Sequence, residues 1–113
     1  MVFDEIEQEV EHLGLQRLHL TVHPKLRGVF AINDVSALGA VRAIEAAERK
    51  DVVVIGYDAV KEAVAAIARG GPFKASVRQD PELIGSTTIA TIAKHFAGEK
   101  FNAFIPVDVG LVD

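Results

Sequence analysis

The stretch VFAINDVSALGAVRAIEAAERKDVVVIGYDAV, residues 29–60, decides the fold. It reads strand, helix, strand, with an amide or acid at each point where a strand gives way to a helix. Residues 34–49 and 59–69 are rich in Ala, Glu, Lys and Arg, which are good helix formers. GVFAI and VVVIGY are short apolar runs of branched residues, the pattern of strands covered on both faces. An acid after a strand can cap the next helix, its carboxylate accepting the orphan N–H groups of the first turn. That reading accounts for Asp34 and partly for Asp58. It leaves Asn33, which precedes a residue already suited to the cap.

Working outward, the period keeps switching. Downstream, KASVR forms a third, more alternating strand, and GGP after residue 69 reads as a helix stop and turn. DPELIGSTTIATIAKHFAGE opens with Asp80 as cap and Pro81 at the first helical position, and directs Leu83, Ile84, Ile89, Ile92 and Phe96 towards a core. The tail FIPVDVGLV is extended. Upstream, Phe3, Ile6, Val10 and Leu13 follow helical spacing up to Gly14. Leu18, Leu20 and Val22 alternate with Arg17, His19 and Thr21, which predicts a half-buried strand before the turn HPKLRG.

Strands alternating with helices of ten or more residues require a parallel sheet with helices on its faces. The fold class is α/β, a mostly parallel three-layer sandwich, and the expected organisation is a single domain over residues 1–113. Ligands in such sheets bind beyond the carboxyl ends of the strands. Those ends carry Asn33, Asp58 and Gln79. A carboxylate accepts from two neighbouring hydroxyls and each amide both donates and accepts, so the trio matches a vicinal polyol, that is, a sugar. Arg78 is the one cation nearby, on the opposite side of its strand from Gln79, so a phosphate or carboxylate ligand is less well served.

Composition excludes several classes. The chain has 113 residues, 50% hydrophobic and 25% charged, with a net charge of −4, and no Lys/Arg cluster that would serve nucleic acid. It has no cysteine, hence no disulfide, thiol nucleophile or thiolate metal site. No apolar run approaches the roughly 18 residues of a membrane span. MVFDEIEQEVEHLG lacks the basic start and apolar stretch of a secretory signal, so the chain as written is expected to stay in the cytoplasm. Of His12, His19, His23 and His95 only His19 and His23 are spaced i, i+4, and they fall on the expected strand and the turn after it, not on one expected helical face, so no metal site is expected. Ser36, Ser76 and Ser86 have no nearby His or nucleophile-elbow glycines, and the glycines at 70–71 follow a helix with no Lys-Ser or Lys-Thr after them. The expectation is a binding protein rather than an enzyme, with neither metal nor cofactor.

From about His23 to Asp113 the chain resembles the C-terminal lobe of type I periplasmic binding proteins, within the ribose group of sugar-binding proteins of ABC transporters. The resemblance is carried by HPKLRGVFAINDVSALGAVRAIEAAERKDVVVIGYD, by ASVRQDPELIG and by GEKFNAFIPVDVGLV. It implies a monosaccharide ligand, a periplasmic or extracellular family, and sugar-hydroxyl contacts from Asn33, Asp58 and Gln79. It also implies an N-terminal lobe that this sequence lacks, which leaves half a site and weak binding. A strand before residues 3–13, and a helix between LQRLHLTV and GVFAI, are missing from the family pattern. The chain therefore reads as a fragment, a deletion form or an engineered piece.

Two other functions remain open. One is an effector-binding or dimerisation core like that of lac-repressor-type regulators, which also show GYD and QD motifs; their DNA-binding headpiece is absent here. The other is a scaffold without a ligand. Only about five residues join the strand expected at 17–22 to GVFAI, whereas a parallel crossover takes on the order of a dozen. The expectation is accordingly a homodimer, with residues 1–22 near the interface through exchange of an N-terminal element.

Overall fold

A computed structural model of the chain describes residues 20–113. Its elements are β1 (Gly28–Phe30), α1 (Asp34–Ala46), β2 (Val53–Tyr57), α2 (Lys61–Arg69), β3 (Phe73–Arg78), α3 (Pro81–Phe96) and β4 (Gly110–Val112). The sheet order is β1-β2-β3-β4, and β1 and β3 both run parallel to β2. The α/β fold class read from the sequence is the one observed. Two compact units divide the described residues: one holds those up to Arg78 together with Leu111–Asp113, the other Gln79–Gly110.

One expectation is corrected. Residues 20–22 are helical, not a strand, and the predicted helix at 3–13 lies outside the described residues. Leu20 is buried among Val41, Ile44 and the rest of the core cluster while Val22 is exposed, so the alternating positions do not share one buried face as they would in a strand. HPKLRG therefore joins a helix to a strand, which is an ordinary short connection; the Leu26 N–H donates to the His23 carbonyl at 3.0 Å to close it. No crossover is needed there, so the short connection does not require exchange of an N-terminal strand.

The core of the first unit lies between the sheet and α1 and α2. Phe73, Ile44 and Val54 are its largest fully buried apolar side chains. Burying each contributes about 1.5–3 kcal/mol. Along β2, Val54 and Gly56 are buried while Val53 and Ile55 are exposed. Within this unit, then, α1 and α2 cover one face of β2. Branched residues favour strands for their fit to a pleated surface, and that preference does not fix how many faces are covered.

Local chemistry ends the helices where the turn geometry requires. α1 stops at Ala46, short of the expected residue 49, because Glu48 takes a left-handed φ of 53° and the Arg49 N–H returns to the Ile44 carbonyl. α2 ends at Gly70, whose φ of 78° with extended ψ is a conformation for glycine. α3 begins as predicted: Asp80 Oδ1 accepts from the Leu83 N–H at 2.9 Å and Pro81 is the first helical residue.

In the second unit the prediction of core residues on α3 is not met. α3 has no buried residue, and Leu83, Ile84, Ile89, Ile92 and Phe96 are exposed, Phe96 at 84%. Its start is set locally by the Asp80 cap and Pro81, and along it the hydroxyls of Ser86, Thr88 and Thr91 donate to carbonyls three or four residues back. Burial needs an opposing apolar surface, and within this unit α3 has the segment around Phe101, Ile105 and Val107, with which it lines an open groove.

Candidate functional site

β1 and β2 deliver the first two candidate residues together. Phe30 pairs with Ile55, and Asn33 and Asp58 each lie three residues further along their strands. Parallel pairing with equal offsets sets both at the same end of the sheet, as the sequence predicts. Asn33 is half-buried and is the residue before α1; its Oδ1 accepts from the Ser36 N–H at 2.8 Å. Asp58 is exposed, and its N–H donates to the Val77 carbonyl at 2.8 Å. Gln79 is half-buried, directly follows Arg78 of β3 and belongs to the second unit.

The capping reading is reversed. Asn33, not Asp34, caps α1. Asp34 is fully buried, with 0% exposure. Its Oδ1 accepts from the Ser76 hydroxyl at 2.7 Å and its Oδ2 from the Val60 N–H at 2.8 Å. Val60 precedes α2 and brings no side-chain cap of its own, so the Asp34 carboxylate serves the start of α2 as well as standing in the first turn of α1. Both helix N-termini favour negative charge there.

Ser76 reaches Asp34 because β3 is irregular. Val54 of β2 pairs with Phe73, yet the next residue, Ile55, pairs with Ala75. The extra residue resets the alternation of β3, so Ser76, partner of Gly56, lies on the α1 side of the sheet. Strict alternation in FKASVR would have put it on the face of Lys74. Sequence reading therefore missed the Asp34–Ser76 pair. A signal was available: Asp34, Ala37, Val41 and Ile44 share one helical face, and the last three are core residues.

The turn after β2 is strained. Asp58 has a φ of 109° and Ala59 a φ of 55°, both positive without being glycine. Such residues cost on the order of 1–3 kcal/mol each and persist where the surroundings over-determine them. Three consecutive N–H groups are held: Asp58 by the Val77 carbonyl, Ala59 by Ser76 Oγ at 3.1 Å, and Val60 by Asp34. The result is an acceptor-rich rim of a carboxylate and an amide presented by rigid strand ends. Among the described residues no group of three or more His, Cys, Asp or Glu side chains could hold a metal ion.

The periplasmic binding protein domain family matches residues 15–100. This chain belongs to that family. Ribose import binding protein RbsB of Escherichia coli (strain K12) is 39% identical over 103 residues, which take in 91% of this chain and 34% of that protein. An ABC transporter solute binding protein of Mycobacterium smegmatis, solved with bound glycerol, superposes with a TM-score of 0.75 at 40% identity, covering 89% of this chain and 35% of the other. The lac repressor dimer bound to operator and the anti-inducer ONPF gives a TM-score of 0.75 at 26% identity, covering 89% and 35%. As a member of the periplasmic binding protein domain family, the chain spans about a third of the length of the curated relatives it matches. Those relatives are import binding proteins, and no helix among the described residues is long and apolar enough to cross a membrane.

Proposed function

We propose that this chain is a sugar-recognising lobe of an ABC import binding protein, in which Asn33, Asp58 and Gln79 bond the hydroxyls of a monosaccharide. The observation that carries the reading is the pairing of Asn33 and Asp58 at equal offsets beyond adjacent parallel strands, with Asp58 held in a strained turn. Its carboxylate accepts two vicinal hydroxyls, and the amides of Asn33 and Gln79 can each donate and accept. The ribose import relatives support the ligand class. The work of the chain is binding rather than catalysis, in the periplasm, without metal or cofactor.

A ligand of this size is held tightly when most of its surface is enclosed, which here takes a second lobe. The lobe alone therefore binds at millimolar level or weaker. We also propose that it pairs with a second copy, a reading supported by the exposed Val53 and Ile55 on β2 and by β1 standing at one end of the sheet order. Light scattering at twice the chain mass is the expected result; a monomer mass at all working concentrations contradicts it.

Calorimetric titration with a panel of pentoses and hexoses tests the sugar reading. Weak, saturable binding of at least one pentose is expected, and no binding by any of the panel overturns it. The likeness to the lac repressor favours a second reading, an effector-binding or dimerisation core. Tight dimerisation with no response to any free sugar is the result that would select it.

A further inference from the structure

We propose that Asp34 is the positioning residue for Asp58: through Ser76 Oγ and the Val60 N–H it fixes the turn that aims the Asp58 carboxylate at a sugar hydroxyl pair. The proposal rests on the sugar-binding reading above and adds a residue that itself faces no ligand. Asp34 is fully buried, so its role cannot be contact. What it does touch is the backbone on the far side of Asp58, at Val60 directly and at Ala59 by way of Ser76.

The geometry makes this more than a helix-start contact. Two adjacent non-glycine residues with positive φ, Asp58 and Ala59, would relax if their amides were released, because Ala59 has no polar side chain to bond locally and hold a left-handed conformation. A change of φ at Asp58 swings its side chain relative to the strand. The clamp spans three elements: Asp34 opens α1, Ser76 lies in β3, and the clamped amides follow β2. The cost of burying a carboxylate is offset by the two hydrogen bonds and the two helix N-termini, an arrangement that leaves both oxygens satisfied. Gly56 is shaped to it as well, since a Cβ at that position would collide with Asp34 Oδ1. The sequence thus gives up a side chain on a central strand to keep the carboxylate where it is.

The test is a double-substitution cycle on this chain, read by ribose titration and by exchange of the Ala59 and Val60 amides. Asp34→Asn replaces one acceptor oxygen by a donor, and Ser76→Ala removes the relay to Ala59 while leaving little void. Each is expected to weaken ribose binding about tenfold, within the range of couplings found for residues in one hydrogen-bond network. Each is also expected to speed exchange of the Ala59 amide, and Asp34→Asn that of Val60. In an Asp58→Asn background neither substitution should weaken binding further, because the group being aimed is already altered. A merely structural role predicts the opposite: the same loss in both backgrounds, which overturns the proposal, as does unchanged exchange at Ala59 and Val60. If Asp34→Asn fails to fold, Ser76→Ala decides by the same two readouts. A parent chain that binds no pentose overturns the sugar reading and with it the ligand half of this proposal; the hold of Asp34 on the turn is then decided by the exchange rates alone.

Discussion

Gly56 lies so close to Asp34 that no side chain fits between them: a Cβ on Gly56 would run into Asp34 Oδ1, and it would also press on Phe73 Cζ at 2.9 Å and Ala37 Cβ at 3.2 Å. Neither the backbone of β2 nor the packed core can yield easily there. Gly56→Ala should therefore destabilise the chain by about 1–3 kcal/mol, the usual cost of overpacking. Urea unfolding measures it. A variant as stable as the parent would mean that the carboxylate is free to move, contrary to its two bonds.

Asn33 caps α1 and, on the proposed reading, also bonds a sugar; two substitutions separate these roles. Its Oδ1 caps α1 at Ser36, so Asn33→Ala should cost about 1 kcal/mol of stability. Asn33→Asp keeps a good capping oxygen but loses the amide donor that a sugar oxygen would use. Its melting temperature should stay near that of the parent while ribose affinity falls. If affinity instead followed stability across the two variants, Asn33 would be a cap and nothing more.

Among the three rim residues Asp58 should matter most. A charged acceptor bonding hydroxyls is worth about 1.5–3 kcal/mol, more than a neutral amide contributes. Asp58→Asn is expected to weaken sugar binding more than Gln79→Ala. Equal losses in a pentose titration would remove this ranking.

Much of this was legible in the sequence, and the reasons it was, or was not, are local. Asp80, Pro81 and the run that follows marked α3 because a cap and an N-terminal proline act within one turn. The branched runs marked β1 and β2 and the alternating KASVR marked β3, and Asn33 and Asp58 follow β1 and β2 at one end of the sheet, since parallel strands deliver the same end. Leu18, Leu20 and Val22 misled because so few residues do not fix a period; of these Leu20 packs in the core cluster with Val41 and Ile44, which no short window contains, while Val22 is exposed. Asp34 and Ser76 were out of reach for a related reason. Their contact joins residues 42 positions apart, across a register shift that strict alternation does not anticipate. Likewise the apolar face of α3 was correct as a pattern, while its exposure depends on which surface opposes it.

The loop between α1 and β2 carries a pH signature. Arg49 bonds Asp51 through Nε at 2.6 Å and a terminal nitrogen at 3.0 Å, and also donates to the Leu26 carbonyl, while Arg27 stands 3.3 Å from the same carboxylate. Hydrogen bonding to Arg49 holds the Asp51 carboxyl below its ordinary range, aided by the charges of Arg49 and Arg27. Because the folded pKa is depressed, the stabilisation is present above the unfolded value of about 3.9 and is lost as pH falls through the folded value. Asp51→Asn should melt below the parent at pH 7, with the gap closing in acid. Thermal unfolding at a series of pH values checks this, and a gap that widened towards low pH would contradict it.

The most direct test of the central claim is a site-resolved titration: amide spectra of the chain with increasing ribose, followed at Asn33, Asp58 and Gln79. The account predicts saturable shifts in the millimolar range, concentrated at those three residues and their neighbours beyond β1, β2 and β3, and moved to clearly higher ribose concentrations by Asp58→Asn. Shifts confined to other surfaces, or the same shifts at the same ribose concentrations in the Asp58→Asn variant, would contradict it.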